Sequence, residues 1–473
     1  MNKTIAKNSF LMLLGQTVGR LLRAGIIIYA ARILGADSWG SLENALSISA
    51  LFVIFADLGI NSLLIREANR KPEERKAYLA TSLIIKTSLV AILAVLMNVF
   101  AGKLSNLPGA IVLMPIVALI FIFDSLRDLG ISLSRSLEKM EIEAAVNIVT
   151  NLFIVILGFL ALRQFGTNQS FAVAYSIGAA IGTIAVFVPL KKYFQGIWKS
   201  FDKKLVKPII LSAWPFGLVS LLGIVMINID MMMLGLISTA AEVGFYSAAQ
   251  KPIQFIYIIP SLISAAFLPS LSRLACKNDK KDCFRDRIEQ GVKATLFIAL
   301  PAAIGGAILA EPIMLLLYGS GYIAATTSFM ILCLTFVVVF PSALVVNAAF
   351  AAERNQKEFV VYAVLGIAGK IILDLIFIPL FGIIGAAVST MLNQIIINAY
   401  IWKKVREITD FSVLPQLKKI IPTTGIMGIV AYVNLLIGVP VLVNIIVAAG
   451  IYLGILWLLG EDIFRKTTEL ETE

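Results

Sequence analysis

Long apolar runs follow one another from residue 9 to residue 460 of the 473-residue chain, separated by short polar breaks. A bilayer core about 30 Å thick is crossed by a helix of roughly 20 apolar residues. Read on that scale, the pattern predicts fourteen transmembrane helices, at residues 9–34, 38–65, 77–101, 109–134, 142–163, 169–190, 208–236, 241–272, 288–310, 324–352, 358–380, 382–402, 420–437 and 440–460. The thirteenth is interrupted by Pro422 and several glycines. The first run carries Arg20 and Arg23 and has no small-residue cleavage pattern at its end, so it reads as a retained membrane helix and not as a removed signal peptide.

Composition agrees with this pattern. A hydrophobic share of 59% and a mean hydropathy of +0.91 exceed what a soluble domain of this size could hide in its interior. The fold class expected is therefore an all-α polytopic membrane protein. A net charge of +11 could suggest a nucleic-acid partner, but most of the 40 basic residues sit in alternate interhelical loops and the two tails. Lys3 and Lys7, the cluster from Arg66 to Lys76, Arg135 and Lys139, and six lysines between Lys191 and Lys207 lie on one side. So do six basic residues from Arg273 to Arg287, Arg354 and Lys357, five from Lys403 to Lys419, and Arg465 with Lys466. Lys103 and Arg163 are what the opposite side carries. Positive loops face the cytoplasm, which puts both termini there, in a cytoplasmic (inner) membrane, and removes nucleic acid from consideration. Cys276, Cys283 and Cys333 have neither disulfide nor zinc spacing. The absence of histidine leaves any proton chemistry to carboxylates or lysine.

Weak self-similarity divides the chain. Gly40-Ser41-Leu42 through Ala45 resembles Gly244-Phe245-Tyr246 through Ala249, each before a long apolar helix. Glu138 to Glu143 at the start of span five likewise resembles Glu353 to Glu358 at the start of span eleven. Six helices repeated, with an even number per lobe, give a parallel repeat. The expected organisation is an N-lobe at 1–190, a basic linker at 191–207, a C-lobe at 208–402, a cytoplasmic loop at 403–419, two added helices at 420–460 and a cytoplasmic tail at 461–473.

Several motifs carry a family resemblance. Ala31-Arg32-Ile33-Leu34-Gly35-Ala36-Asp37-Ser38-Trp39-Gly40, then Phe55-Ala56-Asp57-Leu58-Gly59-Ile60-Asn61 and Ile65-Arg66-Glu67, resemble the opening of the polysaccharide-biosynthesis (O-antigen and exopolysaccharide) flippases. Leu315-Leu316-Leu317-Tyr318-Gly319-Ser320-Gly321-Tyr322 resembles that family's turn before span ten. The likeness covers essentially the whole chain and places it beside multidrug extrusion carriers and lipid II flippases in one superfamily. It implies alternating access, a polyprenyl-pyrophosphate-linked oligosaccharide as cargo, membrane lipids and polysaccharide assembly enzymes as partners, and no cofactor beyond coupling to H+ or Na+.

An ionisable group inside the bilayer costs at least about 2.5 kcal/mol on insertion scales and needs a partner, a wet cavity or a role. Gln16, Arg20 and Arg23 share one face of span one. The two guanidiniums suit a pyrophosphate, or they pair with Glu43 or Asp57 and hold the lobe together. Lys251, directly before Pro252, offers a second cation to cargo, or snorkels, or pairs with Glu242. Asp124, Arg127 and Asp128 read as a structural intrahelical cluster. Lys370 and Asp374 share a face of span eleven. With Asp230 in span seven and Thr390 in span twelve they resemble the ion site of sodium-coupled lipid II flippases, except that Lys370 stands where a neutral oxygen is expected. An ammonium cannot ligate sodium, so ion coupling or gating through these four and a static ion-pair lock both stay open.

Three functions compete at this point. A flippase fits the basic stripe of span one, and spans thirteen and fourteen would offer a groove for its lipid tail. A drug or cation exporter of the same superfamily expects twelve helices and an acidic or aromatic cavity. A membrane-bound oligosaccharide polymerase needs a sizeable external loop, and the predicted ones are short. No nucleophile-base pair, phosphate-cradling loop or metal cluster points to an enzyme.

Overall fold

The computed structural model describes residues 3–70, 73–275, 281–352 and 357–461. Cys276, Lys71, Lys277, Lys280, Arg354, Arg465 and Lys466, with the rest of 353–356 and of the tail, lie outside the described residues. Among the described residues the structure is helical without a strand. Its helices are α1 (Lys3–Asp57), α2 (Ile60–Arg70), α3 (Arg75–Val99), α4 (Ala101–Leu104), α5 (Pro108–Ser136), α6 (Met140–Phe165), α7 (Asn168–Phe194), α8 (Val206–Ile237), α9 (Ala240–Ile256), α10 (Ile258–Ala275), α11 (Lys281–Ile308), α12 (Ala310–Tyr318), α13 (Thr326–Leu334), α14 (Phe336–Ala352), α15 (Lys357–Ile408), α16 (Ile420–Leu436) and α17 (Val441–Leu458). Ten stretches of described helix are long and apolar enough to cross a membrane, and two shorter apolar helices, Gly223–Ile237 and Ile420–Leu436, accompany them.

Side chains are distributed as lipid requires. Leu21, Val99, Leu380, Ile446 and Leu458 are exposed, while Glu43, Lys86, Glu143, Lys370 and Asp374 are buried. A soluble fold would reverse this arrangement. The protein is a multi-pass membrane protein.

The chain forms two compact units, Met1–Gly244 and Phe245–Glu473. In the first, α1 packs against α5, α6 and α8, and α7 closes on α5 and α6. Ile60, Leu63, Leu79, Leu129, Val186 and Ile209 form one of its apolar cores. The helix predicted as span seven, α8, belongs to this unit and packs on α1 and α2. In the second unit α14 packs on α10, α11 and α15, with α16 and α17 paired and α11 against α16.

Several predicted spans are broken or fused, each for a local reason. The first two fuse into α1 through Gly35, whose φ of 71° only glycine adopts without strain. The predicted second span then breaks at Leu58 and Gly59, with φ of 43° and 83°. A leucine in that region is costly, and the break is pinned from both sides. The Asp57 carboxylate accepts from the Asn61 backbone N–H at 3.3 Å. The buried Lys86 ammonium on α3 donates to Asp57 Oδ1 at 3.1 Å and to Asn61 Oδ1 at 2.9 Å. Spans eight and ten are interrupted at Tyr257 and Thr335, and these two break residues meet, hydroxyl to hydroxyl, at 2.6 Å. Spans eleven and twelve fuse into α15 through Gly382, at φ 56°.

Gly40 and Gly244, which open the two similar motifs, sit against one another's helix. A Cβ on Gly40 would lie 1.9 Å from the Ala240 carbonyl oxygen and 2.5 Å from the Gly244 nitrogen, and one on Gly244 would lie 2.1 Å from the Ala36 oxygen. Backbone atoms cannot rotate away as a side chain does. Gly40→Val is expected to destabilise the protein by at least about 1–3 kcal/mol, read as a lower melting temperature in detergent, whereas Gly25→Ala, with open space around it, leaves the melt unchanged. Lys86→Met leaves the Asp57 charge without its cation and is expected to cost up to about 3 kcal/mol. Asp57→Asn in the same chain keeps the cap oxygen, removes the charge and restores most of the loss in the same melt.

Candidate functional site

A cavity of about 460 Å³ opens within the first unit, and it is polar on nearly every wall. Spacings of three and four bring Gln16, Arg20 and Arg23 from α1 to one wall. The same periodicity on α5 supplies Arg127, Asp128, Ser132 and Arg135, and on α6 Glu143, Asn147, Thr150 and Asn151. The pinned break between α1 and α2 contributes Asp57 and Asn61.

Ion pairing inside the cavity decides its sign. Arg135 holds Glu143 bidentately, Nε to Oε2 at 2.7 Å and Nη2 to Oε1 at 2.6 Å. Lys86 holds Asp57. Arg127 pairs with Asp124 at 2.7 Å and lies 3.9 Å from Asp128. Each carboxylate on the wall therefore faces a cation that does not come from α1. Among the described residues neither Arg20 nor Arg23 forms an ion pair, with Glu43, Asp57 or any other acid. Arg23 instead donates from Nε to the Asn151 side-chain oxygen at 2.9 Å and stacks over Tyr175, 5.3 Å from the ring centroid. Arg20 is exposed to the cavity without a partner among the described residues. Gln16 donates to Glu143 at 3.5 Å. The result is a polar chamber in which two guanidiniums form no ion pair among the described residues, and, because Asp124 and Asp128 share Arg127, one positive charge is in surplus.

The chemistry of this lining suits an oxyanion. A guanidinium is charged at any cellular pH and presents donors in a planar fork that matches phosphate oxygens. The Asn147 and Asn151 amides and the Ser132 and Thr150 hydroxyls offer neutral groups beside it. Among the described residues no cluster of three or more carboxylate or cysteine side chains is placed to hold a metal ion.

The remaining sequence-selected residues fall into separate places. Lys370, Asp374 and Thr390 come together within the second unit: the buried Lys370 ammonium donates to Asp374 Oδ1 at 2.7 Å, Thr390 Oγ1 at 2.9 Å and Ser389 Oγ at 3.2 Å. The Tyr246 hydroxyl lies 3.2 Å from the Thr390 hydroxyl. Asp230 is buried on α8 in the first unit. Lys251 is half-buried on α9 in the second. Glu242 accepts from the Thr239 backbone and hydroxyl at the start of α9. Glu43 is buried on α1 away from the cavity wall.

Sequence reasoning missed Lys86, although a lysine in the middle of an apolar span is itself the signal. It counted Arg135 as a loop cation and left Glu143 unassigned, whereas the two form the closest bidentate pair of the cavity. Arg127 and Asp128, read there as structural, also line the wall.

Comparison with known proteins then places the chain. The profile of the family described as "Polysaccharide biosynthesis protein" matches residues 5–275. The chain is 23% identical over 393 residues to the probable low-salt glycan biosynthesis flippase Agl15 of Haloferax volcanii, covering 82% of this chain and 81% of that one. It is 23% identical over 408 residues to the capsular polysaccharide biosynthesis protein CapF of Staphylococcus aureus, covering 85% and 100%. Its fold is similar to that of the lipid II flippase MurJ in an inward closed conformation, with a TM-score of 0.77 at 18% identity, over 97% of this chain and all of that one. Because the profile covers more than half of its length, the chain belongs to the polysaccharide biosynthesis protein family.

Proposed function

We propose that the protein is a flippase that carries a polyprenyl-pyrophosphate-linked oligosaccharide from the cytoplasmic to the outer leaflet by alternating access. The observation that carries this reading is the sign of the cavity, where the acids are already paired and Arg20 and Arg23 are not. The diphosphate takes the two guanidiniums, sugar hydroxyls take the asparagine and hydroxyl groups beside them, and the prenyl tail stays in lipid. Relatives named as glycan flippases and capsular polysaccharide biosynthesis proteins support the class of cargo.

The full organisation belongs to the same proposal. Ten long apolar stretches, two of which run through a kink at Gly35 or Gly382 and so supply two spans each, and the two shorter apolar helices support fourteen crossings. They form two six-helix lobes, 1–190 and 208–402, joined by the basic linker 191–207 and followed by two helices at 420–460. The bias of Lys and Arg to alternate loops supports a cytoplasmic location for both termini, in an inner membrane where polysaccharide assembly enzymes would supply the cargo.

Energy coupling centres on Lys370. Its ammonium occupies the middle of an oxygen cluster formed by Asp374, Thr390 and Ser389, the place a bare cation would otherwise take. A built-in cation favours gating by proton movement over sodium ligation, with Asp374 as its acid and the Ser389 and Thr390 hydroxyls as its neutral partners within the second unit.

Binding of polyprenyl pyrophosphate, with the matching polyprenol as reference, tests the cavity. Arg20→Gln and Arg23→Gln should each weaken the pyrophosphate by about 1.5–3 kcal/mol, roughly tenfold to a hundredfold, and leave the alcohol unchanged. An equal loss for both ligands contradicts the assignment. Lys370→Gln is expected to alter the dependence of transport on pH or on sodium; unchanged dependence on both makes the cluster a static lock. Depletion of the protein should accumulate a lipid-linked oligosaccharide on the cytoplasmic face, and accumulation of none turns the reading toward an exporter.

A further inference from the structure

The second unit contains a groove of about 660 Å³ whose chemistry is opposite to that of the arginine cavity. Leu296 and Leu300 of α11, Val337 and Val338 of α14, Ile395 of α15 and Ile421 of α16 make its walls apolar. The polar side chains among them are satisfied by the protein. The Trp402 indole donates to Ser342 Oγ at 3.0 Å, Ser342 donates to the Val338 carbonyl at 2.6 Å, and the Asn398 amide donates to the Gln394 carbonyl at 2.7 Å. What is left for an occupant along the wall is hydrocarbon contact.

One end is different. Lys403 and Arg406 line it, both exposed, and among the described residues neither forms an ion pair. The acids of that region are engaged elsewhere or stand apart. Glu407 pairs with Lys404 at 3.3 Å, Glu289 accepts from the Ser412 backbone at 2.8 Å, and Asp410 pairs with neither cation. Arg406 stacks over Phe411, 5.6 Å from the ring centroid, which holds the guanidinium at the rim. The groove has the depth of a single leaflet. From Ile395 to Arg406 the helix rises roughly 16 Å at 1.5 Å per residue, about half of a 30 Å hydrocarbon core.

We propose that this groove holds an anionic glycerophospholipid of the cytoplasmic leaflet, with one acyl chain along α15 and the phosphate between Lys403 and Arg406. The choice of leaflet rests on the topology proposed above; the ligand class does not. Basic pockets between helices at the cytoplasmic face are suited to acidic headgroups. The flippase cargo is a poorer occupant, because its one diphosphate is assigned to Arg20 and Arg23 in the first unit. A bound lipid here would fasten α16 to α11 and α15, so that activity depends on the acidic lipid content of the membrane.

The test uses the full chain in nanodiscs of equal parts phosphatidylglycerol and phosphatidylethanolamine, followed by extraction into mild detergent and native mass spectrometry of retained lipid. Phosphatidylglycerol should be retained over phosphatidylethanolamine. Lys403→Gln and Arg406→Gln should each reduce its retention by roughly fivefold, with unchanged melting in detergent because both side chains are exposed. Lys404→Gln, whose partner is Glu407, should retain it, and so should the Arg20→Gln/Arg23→Gln double variant, which separates this site from the transport cavity. Ala399→Trp, which fills the groove, should displace lipid altogether. Equal retention of the two phospholipids, or undiminished phosphatidylglycerol in the Lys403→Gln/Arg406→Gln protein, overturns the proposal. Recovery of a polyprenyl-linked species that disappears with Arg20 and Arg23 also overturns it, in favour of cargo.

Discussion

Pairing of charge in a medium that solvates it poorly is the constraint on which the first unit depends. Asp57, Asp124 and Glu143 would each be costly in a membrane if left alone. Lys86, Arg127 and Arg135 answer them one for one at 3.1, 2.7 and 2.6 Å. None of these cations comes from α1. The arginines of α1 are thereby left without an ion pair among the described residues, and, with Asp128 sharing Arg127, the cavity keeps one surplus positive charge, on which the proposed preference for anions rests.

The same pairs hold the backbone in the shape the cavity needs. Lys86 closes on the loop that ends α1, where Leu58 and Gly59 adopt left-handed conformations, and the Asp57 oxygen that it contacts also accepts from the first turn of α2. Structure and electrostatics therefore share residues: removing the lysine both loosens the break and leaves the Asp57 carboxylate uncompensated on the cavity wall. The second unit repeats the device in another form, with Lys370 buried among Asp374, Ser389 and Thr390 on a single kinked helix.

Hydropathy alone made the helical membrane fold legible, because lipid demands long apolar runs and loops interrupt them. Periodicity of three and four found Arg20, Arg23 and Gln16 on one wall, and the Lys370–Asp374 contact, because one helix fixes both partners. It could not find contacts between helices distant in the chain. Lys86 and Asp57 are 29 residues apart, Arg23 and Asn151 are 128 apart, and nothing in either local pattern announces its partner. Helix boundaries were legible at Gly35 only as a glycine, since its φ depends on backbone context. The interruptions at Tyr257 and Thr335 were hidden because both fall inside uniformly apolar stretches and are stabilised by each other.

Family membership narrows the chemistry to polysaccharide biosynthesis, and the cavity supplies what the family does not, a candidate anion site with named donors. A structure of the full chain determined with polyprenyl pyrophosphate in a nanodisc tests that site directly. The account predicts phosphate oxygens within hydrogen-bond distance of the Arg20 and Arg23 guanidiniums, with Arg135 still on Glu143 and Lys86 still on Asp57. Phosphate bound elsewhere, with both α1 arginines turned to water or paired with a wall carboxylate, would contradict it.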